Sequence, residues 1–182
     1  MLCIVYYKET KGGEILLKTV PDTFSVRIRR GKLSEAAHIA QLALSLLRYH
    51  AQFDPYYTPA DDAEGAYQSF FRQCMRDAGS LLLVAENAQC GDIAGYALAH
   101  IKSRPAIFAL RDIGVLSDTF VKESYRQRGI GSALMRRTVR WFKSRGIAVV
   151  ELQVHRHNAI GRNVWQALGF RDMMIRQRME LL

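Results

Sequence analysis

Apolar and polar residues alternate from Phe24 to Arg30, placing Phe24, Val26 and Ile28 on one face, and this period of two predicts a strand. From Ser34, which is placed to cap it, to about His50 the spacing becomes helical, with Ile39, Leu42, Ala43, Leu46 and Leu47 on one stripe. Pro55 and Pro59 each push their predecessor into extended geometry, so Phe53 to Pro59 is read as non-helical. A second helix follows over about 61–76. Leu81–Glu86 and Ile93–Ile101 read as an antiparallel hairpin around the turn 87–92. Ile113–Val121 is a strand, followed by a helix over 129–145, a strand over 148–155, a helix over 159–168 and a closing strand over 173–181.

Residues 1–22 stand apart as an N-terminal extension. Leu2–Tyr7 and Ile15–Val20 read as two strands joined at Gly12-Gly13, a β-hairpin that Pro21-Asp22 ends. The remaining order, β-α-α-β-β-β-α-β-α-β over residues 23–182, makes an α/β domain of three layers with a mixed central sheet flanked by helices. The exposed edge of the hairpin could pair across a homodimer.

The 182 residues suit one domain, and 49% hydrophobic with 24% charged residues excludes disordered and collagen-like classes. Cys3, Cys74 and Cys90 are odd in number and form no CxxC pair, which argues against a disulfide framework or a zinc site and for free thiols in the cytoplasm. No apolar run approaches the ~18 residues of a membrane span. Met1–Tyr7 has no basic segment before it and Lys8-Glu9 directly after, so it does not read as a signal peptide. The formal charge of +9 suits an anionic partner.

The segment from Val121 to Ala133 narrows that choice. Gly129 and Gly131, between a strand and a helix, let the backbone turn tightly beside a ligand. The first helical turn then presents amide groups and the positive end of the helix dipole, a match for a pyrophosphate, with Arg126 and Arg128 at the mouth. Position 134 is Leu, so the third glycine of a dinucleotide fingerprint is missing, and no Walker lysine follows. The following helix has an apolar half that includes Leu134 and Trp141 and a basic half of Arg136, Arg137, Arg140 and Lys143. That basic half reads as a solvated face or as a help in holding phosphates.

Two motifs together resemble the GNAT superfamily of acetyl-CoA-dependent N-acetyltransferases. Arg126-Gln127-Arg128-Gly129-Ile130-Gly131 matches the family's Gln/Arg-x-x-Gly-x-Gly/Ala. Asn158, Trp165 and Gly169-Phe170 match its later Asn, aromatic and Gly-Phe. The resemblance covers about residues 24–182 and implies a splay between two parallel strands of the sheet. It implies acetyl-CoA as co-substrate, with no metal. The pantetheine arm would pair with the backbone of Thr119, Phe120 and Val121, and the pyrophosphate would rest on Gln127, Arg128, Gly129, Ile130, Gly131 and Ser132. Asn158 and Trp165 would contact the cofactor. The amine attacks the thioester directly in a ternary complex, and a backbone N–H near Val121 steadies the developing oxyanion.

Trp165 departs from the Tyr that many relatives carry as proton donor, since an indole offers only an N–H. Asp118, three residues before Val121, and His155, at the end of the next strand, are the candidates for base or substrate anchor. Asp54, Tyr56 and Tyr57, in an aromatic stretch with Tyr49, His50 and Phe53, could cradle a cationic amine or simply pack the loop. His155-x-His157 lacks a third ligand for a metal. The favoured acceptor is the primary amine of a small molecule. The alternatives are a protein N-terminus or lysine, and a non-catalytic acyl-CoA-binding module. A membrane is not expected as partner, and no nucleic acid is required.

Overall fold

The computed structural model describes residues 25–181. Val26–Arg30 forms β1, and the two helices α1 (Ala36–Ala51) and α2 (Ala63–Arg76) follow it. Three strands come next, β2 (Ser80–Asn87), β3 (Ile93–Ser103) and β4 (Asp112–Val121). The chain continues through α3 (Ile130–Ser144), β5 (Val150–Leu152) and α4 (Ala159–Ala167). The strands make one sheet in the order β1-β2-β3-β4-β5, antiparallel throughout except for the parallel β4–β5 pair.

Both faces of the sheet are covered, which is why β2 reads as a continuous apolar run rather than an alternation. Leu82 and Val84 meet Ile39, Leu42, Leu46 and Phe71 of α1 and α2, together with Tyr96, Leu98 and Phe120. Leu81 and Leu83 point the other way, to Ile130 and Leu134 of α3 and to Val121. Farther along that face, Leu116 packs with Phe142, Val164 and Trp165.

One irregularity positions the rest. The β3–β4 register passes from Leu98 opposite Asp118 to Ala99 opposite Leu116, so Ser117 is an extra residue, a β-bulge. Residues two apart on a regular strand share a face. Here Leu116 lies in the α3–α4 layer, whereas Asp118 accepts a hydrogen bond from Tyr96, a residue of the α1–α2 core. The Ser117 hydroxyl stands 3.1 Å from His100 Nδ1 across the strand pair. β5 runs beside Gly114–Leu116 only, so the parallel pairing ends at the residue before the bulge. Beyond it β4 continues to Val121 with β3 on one side and no strand on the other among the described residues. This is the expected splay.

Four expectations need correction. Ser34 does not cap α1; a short 3₁₀ turn over Leu33–Glu35 precedes the helix, and the Glu35 carboxylate accepts the Lys32 amide at 2.8 Å. Pro55 opens a 3₁₀ turn over Pro55–Tyr57, because proline's fixed φ suits a first helical position while Asp54 stays extended. β5 has three residues rather than eight. The closing strand over 173–181 is absent: Met173, Met174, Ile175, Met179 and Leu181 are 70–86% exposed. A strand needs a ladder partner, and so short a β5 offers little edge. The segment is tied down by side chains instead, Arg162 to Asp172 at 3.1 Å and Arg178 to Asp54 at 3.0 Å. The N-terminal hairpin lies outside the described residues. No helix among the described residues is long and apolar enough to cross a membrane.

Gly95 pairs with Val121 where β3 meets the end of β4, and a Cβ there would run into the Phe120 carbonyl oxygen. Gly95→Ala is therefore expected to cost about 1–3 kcal/mol, read as a lower urea midpoint; an unchanged midpoint would mean that the two strands can part without cost.

Candidate active site

The bulge leaves the end of β4 bordered by three loops that are far apart in sequence. The first is the turn into α3. Gln127 and Gly129 both take left-handed backbone conformations, φ +62° and +73°. Gly129 does so freely, while Gln127 pays about 1–2 kcal/mol for it, strain of the kind that collects at ligand-binding turns. The first intrahelical bond runs from the Ala133 amide to the Gly129 carbonyl at 3.0 Å. The Ile130 and Gly131 amides come before it and have no acceptor within the helix. The Arg126 side chain folds back, Nε to the Val121 carbonyl at 3.1 Å, so the loop is anchored to the strand end it leaves. Arg128 stands over the Tyr125 ring, 5.9 Å from its centre.

The second is the loop from Tyr49 to Tyr57. Arg126 is close enough to Tyr49 to act on its hydroxyl, which ties this loop to the first. The Tyr49 ring meets Phe53 edge-on at 4.8 Å. Asp54 accepts the Tyr56 amide at 3.0 Å and the Arg178 guanidinium, which itself lies 4.7 Å over the Tyr56 ring. His50 was legible only as part of an aromatic stretch, yet its side chain is buried and Nε2 has no hydrogen-bond partner among the described residues. Burial, aided by nearby His155, lowers its pKa to about 4, so it is neutral at neutral pH.

The third is the turn after β5. His155 stacks on Phe53 at 5.7 Å and meets Tyr57 edge-on at 6.1 Å. Its Nδ1 accepts the His157 amide at 3.2 Å, which leaves the ring proton on Nε2, directed as a donor. Protonating the ring would break that bond, and burial together with His157 and Arg156 holds the pKa below its ordinary value. Asn158 caps α4 by accepting the Gly161 amide at 2.9 Å. It is 1% exposed, and its Nδ2 has no partner among the described residues.

The structure thus brings Val121, Arg126, Tyr49, Phe53, Tyr57 and His155 into one neighbourhood. Thr119, Phe120 and Val121 keep β3 on one flank, opposite Ala97, Tyr96 and Gly95. Trp165 lies inside the α3–α4 core, 2% exposed and edge-on to Phe170. Asp118 is 3% exposed and sits under α1 and α2, accepting the Tyr96 hydroxyl at 3.3 Å. Burial pushes its carboxyl up to about 6, with the Tyr96 bond pulling the other way. Among the described residues no three His, Cys, Asp or Glu side chains gather as metal ligands. The turn into α3, rich in amide donors, and the buried Asn158 amide nitrogen, without a partner among the described residues, suit a polyanion that also offers an acceptor.

The sequence model of the GNAT acetyltransferase family matches residues 46–170. An uncharacterised N-acetyltransferase of Bacillus subtilis is 26% identical over 147 residues, 81% of this chain and 91% of its own. The fold superposes on a tetramutant of a Bacillus halodurans protein with a TM-score of 0.76 at 20% identity, covering 85% of this chain and 99% of that one. It superposes on a Clostridium acetobutylicum protein, described as a predicted acetyltransferase and solved with acetyl-CoA, with a TM-score of 0.67 at 17% identity. That match covers 86% of this chain and 96% of the other.

The buried carboxyl carries a stability consequence. Its folded pKa of about 6 lies above the ordinary 3.8, so the unfolded chain releases the proton first and stability falls as pH rises from about 4 to 6. Asp118→Asn should remove this loss, gaining on the order of 3 kcal/mol relative to wild type between pH 4 and pH 7.5. Paired urea titrations at the two pH values measure it, and a constant difference between the proteins would contradict it.

Proposed function

Because the chain belongs to the GNAT family of acetyltransferases it is an acyltransferase, and we propose that it acetylates the primary amine of a small molecule by direct attack in a ternary complex. Acetyl-CoA, when bound, supplies the acyl group in activated form as a thioester. The backbone amides from Gln127 to Ser132, with Arg126 and Arg128 beside them, hold the pyrophosphate. Asn158 donates through Nδ2 to the pantetheine arm, which lies along the Thr119–Val121 backbone in the splay. The observation that carries this reading is the Arg126 side chain folded back onto the Val121 carbonyl at 3.1 Å, beside the aromatic loop whose Tyr49 feels its charge.

On the acceptor side, Asp54, Tyr56 and Tyr57 form the wall, and His155 directs its Nε2–H toward the incoming molecule. A donor is not a base, so the ammonium proton goes to Asp118, whose raised pKa suits proton transfer near neutrality. Its burial means that the proton travels by way of water, while the C–S bond breaks and coenzyme A departs as the thiolate. Two features support a small acceptor over a peptide. The Arg178–Asp54 ion pair ties the aromatic loop to the chain after α4, and Phe53, stacked on His155, with Tyr57 edge-on to the same ring, fills the flank along which an extended chain would lie.

Thiol release from acetyl-CoA is to be measured against a panel of small amines and short peptides. Release with small amines is expected, and Gly129→Asp should abolish it by placing a carboxylate in the pyrophosphate turn. Release with peptides alone would refute the acceptor class.

Two variants divide the roles. Asp118→Asn should remove the fall in kcat/KM below about pH 6 and lower the plateau by about 100-fold. An unaltered pH profile would discard Asp118 as the base. Tyr56→Ala with Tyr57→Ala should raise the acceptor KM by about tenfold with the acetyl-CoA KM unchanged. An unchanged acceptor KM would place the acceptor elsewhere.

A further inference from the structure

A second cleft lies between α3 and the β1–β2 edge. It has a volume of about 250 Å³, and its floor is Leu81, Leu83 and Trp141. Arg30, Arg137 and Arg140 surround it.

Two of these arginines stand where the hydrophobic pattern calls for an apolar side chain. Along β1, Val26 and Ile28 pack on the α3 face, and the next position of that alternation is Arg30, opposite Leu83. Along α3, the stripe that meets the sheet steps through Ile130, Leu134, Arg137, Trp141 and Ser144, so Arg137 interrupts an apolar row. The two interruptions line the same cleft. No carboxylate among the described residues lies within ion-pair distance of Arg30, Arg137 or Arg140. The arginines on the opposite face of β1 are treated differently: Arg27 and Arg29 both reach Glu86, and Arg29 also reaches Glu35. The Trp141 indole nitrogen is buried and has no hydrogen-bond partner among the described residues.

Three exposed guanidinium groups with no carboxylate partner among the described residues ring an apolar floor. They suit a ligand that brings its own anion. Guanidinium forks match phosphate oxygens, and an indole beside two leucines takes a flat apolar body. We propose that this cleft binds a compact aromatic phosphomonoester, at a site separate from the one for acetyl-CoA. Arg137 and Arg140 grip the phosphate with Arg30, while the ring lies on Trp141 and Leu83. The inference does not depend on the acetyl-transfer reading, since α3 takes part here through its middle and far end rather than its first turn.

Titration calorimetry of the full chain with phenyl phosphate tests it, with inorganic phosphate as the comparison and saturating coenzyme A present throughout. Phenyl phosphate should bind about tenfold more tightly than inorganic phosphate. Arg30→Gln with Arg137→Gln should weaken it by about tenfold or more. Should that pair disturb folding, Arg140→Gln, at an exposed rim position, is expected to weaken binding by about threefold with an unchanged melting temperature. Absence of phenyl phosphate binding, equal affinity for the two phosphates, or indifference to all three substitutions would overturn the site. Binding that appears only when coenzyme A is left out would overturn it as well, by showing that the cleft is part of the cofactor's own path.

Discussion

A single extra residue in β4 organises this molecule. Ser117 has no partner of its own in the β3–β4 ladder, so the strand changes parity there: Leu116 looks into the α3–α4 layer and Asp118 is delivered to the α1–α2 layer. The same kink ends the parallel pairing with β5 at Leu116. Three loops border the opening that results, while Asp118 lies buried beneath α1 and α2. The turn into α3, the aromatic loop after α1 and the turn after β5 are joined across the opening by Arg126, Tyr49, Phe53 and His155. A regular strand would have zipped β4 to β5 farther along and turned Asp118 to the other face.

Burial then sets the protonation of the groups around that opening. His50 and His155 are held below the ordinary imidazole range and stay neutral at neutral pH, whereas Asp118 is pushed above the ordinary carboxylate range, to about 6, and is still ionised there. Positive charge is kept where an anion can use it, on the turn into α3 and around the second cleft. On the two proposals above, one helix would serve two electrostatic purposes: its first turn through backbone amides, which depend little on side chains, and its middle through Arg137 and Arg140.

Much of the architecture was legible because long elements announce themselves by period. The stripe of α1, the continuous apolar run of β2 and the Gly129–Gly131 turn into α3 are all local patterns, read from residues adjacent in sequence. The readings that failed were those that need a partner. Residues 173–181 alternate as a strand does, but β5 leaves them little edge to join, and Arg178 goes to Asp54 instead. Ser34 has the chemistry of a helix cap, yet Glu35 takes the amide that matters there. Neither the bulge at Ser117 nor the left-handed Gln127 has a signature in composition.

The sequence by itself therefore determined the order of the elements from β1 to α4, the glycine turn and its basic flank, because hydrophobic period and backbone freedom are properties of neighbouring residues. Tertiary structure alone decided which face Asp118 occupies and that Arg30 and Arg137 line one cleft. Those outcomes depend on register and on burial, and both arise only when distant segments come into contact and exclude water.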